Sequence, residues 1–230
     1  VTLSIIMPVL NEADRIAAAL DALQAYRARG VELVVADGGS SDATRDGARD
    51  RADLIVNAPR GRAMQMNAGA QAAGGDVLLF LHADTQLPEN ADILVRDQLA
   101  RSKRQWGRFD VRFDSGGLLR LVAFMMNLRS RLTGIATGDQ AMFMTRAAFD
   151  QAGGFPAIAL MEDIALSARL KRLGKPLCLY ARVTTSGRRW RDNGVMRTVL
   201  LMWRLRLAFY FGADPDTLAR EYGYGEGAAK

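Results

Sequence analysis

The first hundred residues alternate short apolar runs with stretches of helical character, and this alternation narrows the fold more than any other feature of the chain. The order is LSIIMPVL, residues 12–29, VELVVAD, residues 42–51, DLIVN, residues 61–73, DVLLFLHAD and residues 89–101. Strand and helix in turn predict an α/β fold with a mostly parallel sheet covered on both faces by helices. VELVVA and DVLLFL are apolar almost throughout, as suits strands buried on both faces. Loops at the carboxyl ends of such strands form the binding edge. Ile16, Leu20, Leu23 and Arg27 fall at i, i+4, i+7 and i+11, which predicts a first helix with one apolar stripe and with Asn11 as its N-cap.

The second half is less regular. A strand is expected at 107–113, helices at 118–132 and 164–173, a strand at 177–180 and a last helix at 193–211. No internal repeat and no linker rich in proline or serine marks a second unit, so residues 1–212 are expected to form a single domain with C-terminal helices. Residues 213–230 are expected to be a fraying tail.

Composition removes several kinds of chemistry. A single cysteine, Cys178, forbids an internal disulfide or a zinc site of several thiolates and fits a reducing cytoplasm. A single histidine, His82, removes sites of several imidazoles, so any metal must be held mainly by carboxylate oxygens. No apolar run approaches the about 18 to 20 residues that span a bilayer, and neither a signal peptide nor a membrane span is expected. A net charge of +6 suits anionic partners. The basic residues are spread without a recognisable binding motif, so nucleic acid is not expected among them.

Five segments carry side chains suited to chemistry. ADGGSSDAT leaves a buried strand at Asp37; its carboxylate can accept from a base or ribose, or can start a turn, while Asp42 can cap a helix. FLHADT presents Asp84 as a hard ligand for Mg2+ or Mn2+, with His82 two residues away on the same side of an extended chain. In RGRAMQMNAGAQAAGGD, Arg60 and Arg62 precede a helix containing Asn67 and Gly69 and can grip a diphosphate or remain solvated. In LMEDIALSARLKRLGK, Glu162 and Asp163 open an amphipathic helix, where a carboxylate suits the helix dipole and can also act as a general base. In TTSGRRWRDNG, Trp190 can stack on a sugar face with Arg189 turned to a phosphate.

Taken in order, these segments resemble the inverting family 2 glycosyltransferases of the GT-A fold over nearly the whole chain. SIIMPVLNEADRI looks like the first strand of that family, implying that Pro8, Val9, Asn11 and Glu12 enclose the nucleobase. Asp37 matches the first aspartate of an Asp-Asp-Gly-Ser-x-Asp loop, with Gly38 in place of the second. Asn67 and Gly69 match an Asn-x-Gly element, with Met66 where an arginine is common and Arg62 as the substitute charge. FLHADT takes the place of the Asp-x-Asp metal motif, which puts His82 and Ala83 on the donor and Asp84 on the metal. MED matches a Glu-Asp motif whose aspartate is the base, implying Asp163 with Glu162 as its orienting neighbour. SGRRW resembles Gln-x-x-Arg-Trp, with Ser186 at the first position, and carries over Arg189 and Trp190 for acceptor or phosphate.

The resemblance therefore implies a GT-A-like, mostly parallel nucleotide-binding sheet. Residues 1–100 would bind a nucleotide-sugar, UDP-linked for preference, and residues 101–212 would bind the acceptor and carry catalysis. GRAMQMNAGA followed by LHADT is similar to a small soluble subgroup described as rSAM/selenodomain-associated or arsenosugar-type glycosyltransferases. Two other functions fit parts of the pattern: a noncatalytic module on a degenerate version of the fold, and a sugar-phosphate nucleotidyltransferase, for which VLNEADR is the wrong loop.

Membrane contact is a separate expectation. Leu118, Leu121, Met125, Leu128 and Leu132 share one helical face with Arg120, Asn127 and Arg131 opposite, a stripe that can pack on the sheet or lie on the inner face of a membrane near a lipid-linked acceptor. In VMRTVLLMWRLRLAFYFG, Arg206 points away from Arg197 and Arg204, which departs from a simple interfacial helix.

Overall fold

A computed structural model describes residues 1–224 of the chain. Its strands are β1 (Leu3–Val9), β2 (Glu32–Asp37), β3 (Leu54–Asn57), β4 (Val77–Phe80), β5 (Thr85–Gln86), β6 (Trp106–Phe113), β7 (Phe143–Thr145) and β8 (Leu177–Thr185). Its helices are α1 (Ala13–Asp21), α2 (Gln24–Arg27), α3 (Thr44–Ala48), α4 (Arg62–Ala72), α5 (Ala91–Arg101), α6 (Leu118–Thr133), α7 (Arg146–Ala152), α8 (Glu162–Leu173), α9 (Arg188–Asn193), α10 (Val195–Tyr210) and α11 (Pro215–Tyr222), with a 3-10 turn at Gly138–Gln140.

The strands form one sheet in the order β3-β2-β1-β4-β7-β6-β8-β5, in which β7 and β5 run against the rest. The two-residue period of a strand sorts its side chains between two cores. Leu3, Ile5, Met7 and Val9 of β1 join Ile16, Leu20 and Val95 on one face, whereas Ile6 joins Met66, Ala70 and Leu166 on the other. β2 and β4 divide in the same way, with Val35 and Leu79 on the first face and Val34 and Leu78 on the second. The sheet thus lies between two helical layers, and its carboxyl-end loops are left to form the site. Gly69 lets α4 lie close on β1, since a Cβ there would sit 2.5 Å from Ile6 Cγ2.

Several elements depart from the sequence expectation, each for a local reason. The helix expected over 12–29 breaks after Asp21, and the redirected α2 lets Tyr26 Oη donate to the Pro88 carbonyl at 2.6 Å. Asn11 is not its cap. It holds a left-handed φ of 53°, and its Oδ1 accepts from Ser41 N at 2.9 Å, while Asp42 Oδ2 accepts from Ala13 N at 3.2 Å. The last expected helix is α10, which starts after Gly194 with φ 81°, and a short helix not expected from the sequence, α9, precedes it. Part of the expected fraying tail is α11, started by Pro215 and capped by Asp214 Oδ2 accepting from Thr217 N at 3.0 Å. Leu218 and Ala219 of α11 are buried with Leu160, Met161 and Leu205, so the segment is tied to the loop before α8. Residues 225–230 lie outside the described residues.

Helix α6 packs with the opposite face to the one its apolar stripe suggests. Leu118, Leu121, Met125, Leu128 and Leu132 are exposed, and Leu119, Ala123, Met126 and Ser130 are buried. The cause is Arg108 on β6, which is fully buried and needs polar partners. It pairs with Asp110 and donates to Ser130 Oγ at 3.1 Å and to the Asn127 carbonyl at 3.1 Å. Asn127 also bonds both the N–H and the carbonyl of Val111, at 2.9 Å each, and Arg131 reaches Asp110 at 2.6 Å. Polar groups therefore dock α6 on the sheet.

Candidate functional site

The carboxyl ends of β1 and β4, the turn at Gly138, the start of α8 and the segment after β8 enclose a cleft of about 1130 Å³. Pro8, Val9 and Glu12 line it from β1, and His82, Ala83 and Asp84 line it from β4. Arg62, Glu162, Asp163, Arg189 and Trp190 complete the wall expected from sequence. Three expected contacts are occupied elsewhere. Asn11 joins the turn after β1 to the Ser40–Ser41 loop. The Asp37 carboxylate accepts from Ser40 N at 3.1 Å and pairs with Arg45 at 3.3 Å. Asn67 clamps both backbone groups of Phe155, at 2.8 and 2.9 Å, and so shapes the approach to α8.

The chain at 82–85 is a tight turn, closed by Thr85 N donating to the His82 carbonyl at 3.0 Å. His82 and Asp84 therefore do not share a side of an extended strand. His82 Nδ1 faces Asp139 Oδ1 at 3.6 Å, and its ring packs on Gly138. Asp84 is exposed, with Oδ1 accepting from Thr85 Oγ1 at 3.2 Å. Thr85 pairs with Thr185 across β5 and β8, which sets this turn beside the Ser186–Trp190 segment. No group of three His, Cys, Asp or Glu able to hold an ion occurs among the described residues. One exposed carboxylate in the cleft fits Mg2+ or Mn2+ held mainly by phosphate oxygens and water.

Asp163 sits in the first turn of α8 at the cleft wall. Its Oδ2 accepts from Gly138 N at 2.8 Å and its Oδ1 from Ile164 N at 2.7 Å, so both oxygens are oriented by backbone donors. The turn into the helix is made at Met161, whose φ of 70° is a left-handed conformation that costs a non-glycine residue about 1–3 kcal/mol. Burial of Met161 among Leu160, Leu205 and Leu218 holds it there.

The family model of glycosyl transferase family 2 matches residues 4–151, from β1 through most of α7. The chain belongs to that family. A PGL/p-HBAD biosynthesis glycosyltransferase of Mycobacterium bovis (strain BCG / Pasteur 1173P2) is 40% identical over 100 residues, covering 40% of this chain and 39% of its own length. The chain thus spans well under half the length of this curated relative. Among solved structures, mannosyltransferase PcManGT from Pyrobaculum calidifontis, in complex with GDP-Man and Mn2+, superposes with a TM-score of 0.66 at 20% identity, over 96% of this chain and 69% of that one. Glucosyl-3-phosphoglycerate synthase from Mycobacterium tuberculosis, in complex with Mn2+, UDP and glucosyl-3-phosphoglycerate, gives 0.57 at 22% identity, over 80% and 70%. These likenesses establish the GT-A fold.

In this family 2 chain the charge around α8 is tightly coupled. Glu162 is 2% exposed and lies 3.3 Å from Arg62 Nη1, so it pairs across the cleft and not with its neighbour. Burial pushes the Glu162 carboxyl above its ordinary range, Arg62 opposes this, and Asp163 adds to it. Burial would lower the Arg62 pKa, but Tyr224, Glu162, Tyr222 and Asp163 outweigh it and hold the guanidinium charged. Arg62 Nη2 also donates to Tyr224 Oη at 2.7 Å. Arg189 donates to the Tyr222 carbonyl at 2.6 Å and lies 3.5 Å over that ring, while Trp190 packs edge-on to Phe113 at 5.6 Å. Asp139 is pushed up by burial, yet His82, Arg62 and Arg206 hold it below its usual value.

Four participants carried no sequence signal. Gln65, buried at 4%, ties the Val9 and Ala36 carbonyls together at 2.6 and 3.2 Å. It also explains Gly38, where a Cβ would sit 2.9 Å from its side chain. Gly138 and Asp139 reach the site through the turn before β7, and Tyr224 through α11.

Proposed function

We propose that the chain transfers a sugar from a nucleotide-sugar, UDP-linked for preference, to an acceptor hydroxyl with inversion at the anomeric carbon. The observation that carries this reading is the meeting of Asp84, Arg62, Arg189 and a backbone-oriented Asp163 in one cleft at the carboxyl edge of the sheet. Pro8, Val9 and Glu12 would enclose the base, in the half formed by residues 1–100. Residues 101–212 would supply the acceptor side. Asp84 would hold Mg2+ or Mn2+ against the diphosphate, an ion that offsets the charge gathering on the leaving group.

Asp163 takes the proton from the acceptor hydroxyl as that oxygen attacks the anomeric carbon from the face opposite the leaving diphosphate. The new glycosidic bond forms as the bond to the nucleotide breaks. The Gly138 and Ile164 N–H groups fix the carboxylate for this step, and Arg62 and Arg189 neutralise phosphate charge. No helix is long and apolar enough to cross a membrane among the described residues. The exposed apolar stripes on α6 and α10 support contact with a membrane face and, with it, a lipid-linked acceptor. The subgroup motif GRAMQMNAGA with LHADT supports placement among the rSAM/selenodomain-associated or arsenosugar-type members.

The test is release of nucleoside diphosphate from nucleotide-sugars by the wild type and by Asp163→Asn. Turnover should fall about 10²- to 10⁴-fold in the variant while nucleotide binding persists. Equal turnover would remove Asp163 from the chemistry.

A further inference from the structure

Beyond Asp163 the cleft runs between α6 and α10, where it changes character. Arg129 on α6 and Arg206 on α10 both line it. The buried Nε and Nη2 atoms of Arg129 and the buried Nε of Arg206 have no hydrogen-bond partner among the described residues. Arg108 and Arg146, by contrast, are matched: Arg108 has Asp110, Ser130 and the Asn127 carbonyl, and Arg146 takes the carbonyls of Ala70, Ala73 and Gly75, while Arg96, whose Nε is also without a partner, lies outside the cleft. Burial first, and then the charge of Arg206, pushes the Arg129 pKa down to about 10, with Asp163 opposing. Two mutually repelling guanidinium groups with unmet buried donors are unfavourable until an anion joins them.

The walls around these arginines are apolar. Leu121 and Met125 of α6 and Met196 and Trp203 of α10 line the cleft, and each is at least 48% exposed. A nucleoside diphosphate carries no extended apolar chain, and its proposed seat is the other end of the cleft at β1 and β4. An anionic headgroup on an apolar chain matches both the unmet cations and the walls.

We propose that Arg129 and Arg206 form an anion subsite on the acceptor side, so that the hydroxyl-bearing acceptor carries a phosphate group joined to an apolar chain seated between α6 and α10. This deepens the transferase reading and rests on it for the word acceptor, but the subsite stands on the arginines themselves. The phosphate can come from a soluble amphiphile or from a lipid in a bilayer.

The test titrates the full chain with decyl phosphate below its micelle concentration, with neutral decanol, with inorganic phosphate, and with phosphatidylcholine vesicles with and without dihexadecyl phosphate. Arg129→Gln and Arg206→Gln are compared with Arg204→Gln, which removes an equal charge from the exposed pair with Glu221 outside the cleft. Decyl phosphate should bind the wild type more tightly than decanol or inorganic phosphate, and each cleft variant should lose about tenfold or more. Arg204→Gln should lose nothing. Arginine-dependent binding to the doped vesicles identifies a bilayer source, and such binding to decyl phosphate alone a soluble one; either supports the subsite.

Equal affinity in the cleft variants, or equal binding of decanol, overturns the proposal. Inorganic phosphate bound as tightly as decyl phosphate overturns the apolar seat. Binding of UDP or GDP with Mn2+ is measured in parallel, and its selective loss in the cleft variants would assign the arginines to the donor and overturn the proposal. Arginine-dependent decyl phosphate binding without any nucleotide binding would sink the transferase reading and leave the subsite intact.

Discussion

Replacing Gly138 by alanine puts a methyl group where the His82 ring already lies. The added Cβ would stand 2.6 Å from Cε1 and 2.7 Å from Nε2 of the imidazole, against an ordinary contact of about 3.5–4.0 Å. The ring or the backbone must therefore give by about 1 Å, and overpacking of that kind costs about 1–3 kcal/mol. The ring has some room to move, being 17% exposed with Asp139 Oδ1 facing Nδ1 at 3.6 Å. The backbone has less, because Gly138 N is the donor that fixes Asp163 Oδ2 at 2.8 Å. Urea unfolding of the wild type, Gly138→Ala, His82→Ala and the double variant measures the clash directly. In the His82→Ala background the alanine at 138 should cost under about 0.5 kcal/mol, leaving a coupling energy of about 1–3 kcal/mol between the two positions. Turnover should also fall less on adding Gly138→Ala to His82→Ala than on adding it to the wild type. Equal costs in both backgrounds would refute the reasoning, since the strain would then lie somewhere other than the ring.

Other consequences follow from the buried charges. Because the folded pKa of Glu162 is raised, its stabilising contribution is fully present below the ordinary carboxylate range and is lost as pH rises through the folded value. Glu162→Gln should remove that part of the dependence of Tm on pH, and curves of unchanged shape would contradict it. Asp110→Ala strips the fully buried Arg108 of its counter-charge and should cost about 3–5 kcal/mol in urea unfolding, whereas a loss below about 1 kcal/mol would mean that Ser130 and Asn127 suffice.

The strands of the first half were legible because both-face burial leaves continuous apolar runs, and VELVVA and DVLLFL became β2 and β4 with side chains alternating between two cores. Helix α6 was legible in extent but not in orientation, because its outward apolar stripe is the stronger local pattern and the buried Arg108 that turns its polar side inward lies on another element. Asn11, Asp37 and Asn67 show that polar side chains near an expected site also serve the fold: each accepts from a backbone N–H, of Ser41, Ser40 and Phe155 respectively. Asp163 stands out in the sequence through the resemblance of MED to a Glu-Asp motif, since two acidic residues opening a helix equally suit the helix dipole. Gln65, Asp139, Arg129 and Arg206 do not, since each belongs to the cleft only through elements that folding brings together. The α11 start was written in Asp214-Pro215 as a cap and an N1 proline, signals that the glycine-rich end of the chain obscured.

The central claim is a metal-assisted nucleotide-sugar site at Asp84, and isothermal titration tests it most directly. The wild type and Asp84→Ala are titrated with a panel of nucleoside diphosphates and nucleotide-sugars, with and without Mn2+. The account predicts that one nucleotide binds in a Mn2+-dependent manner and that Asp84→Ala abolishes this binding. Absence of binding to every nucleotide, with the ion and without it, would contradict the account and leave a noncatalytic module on the same fold.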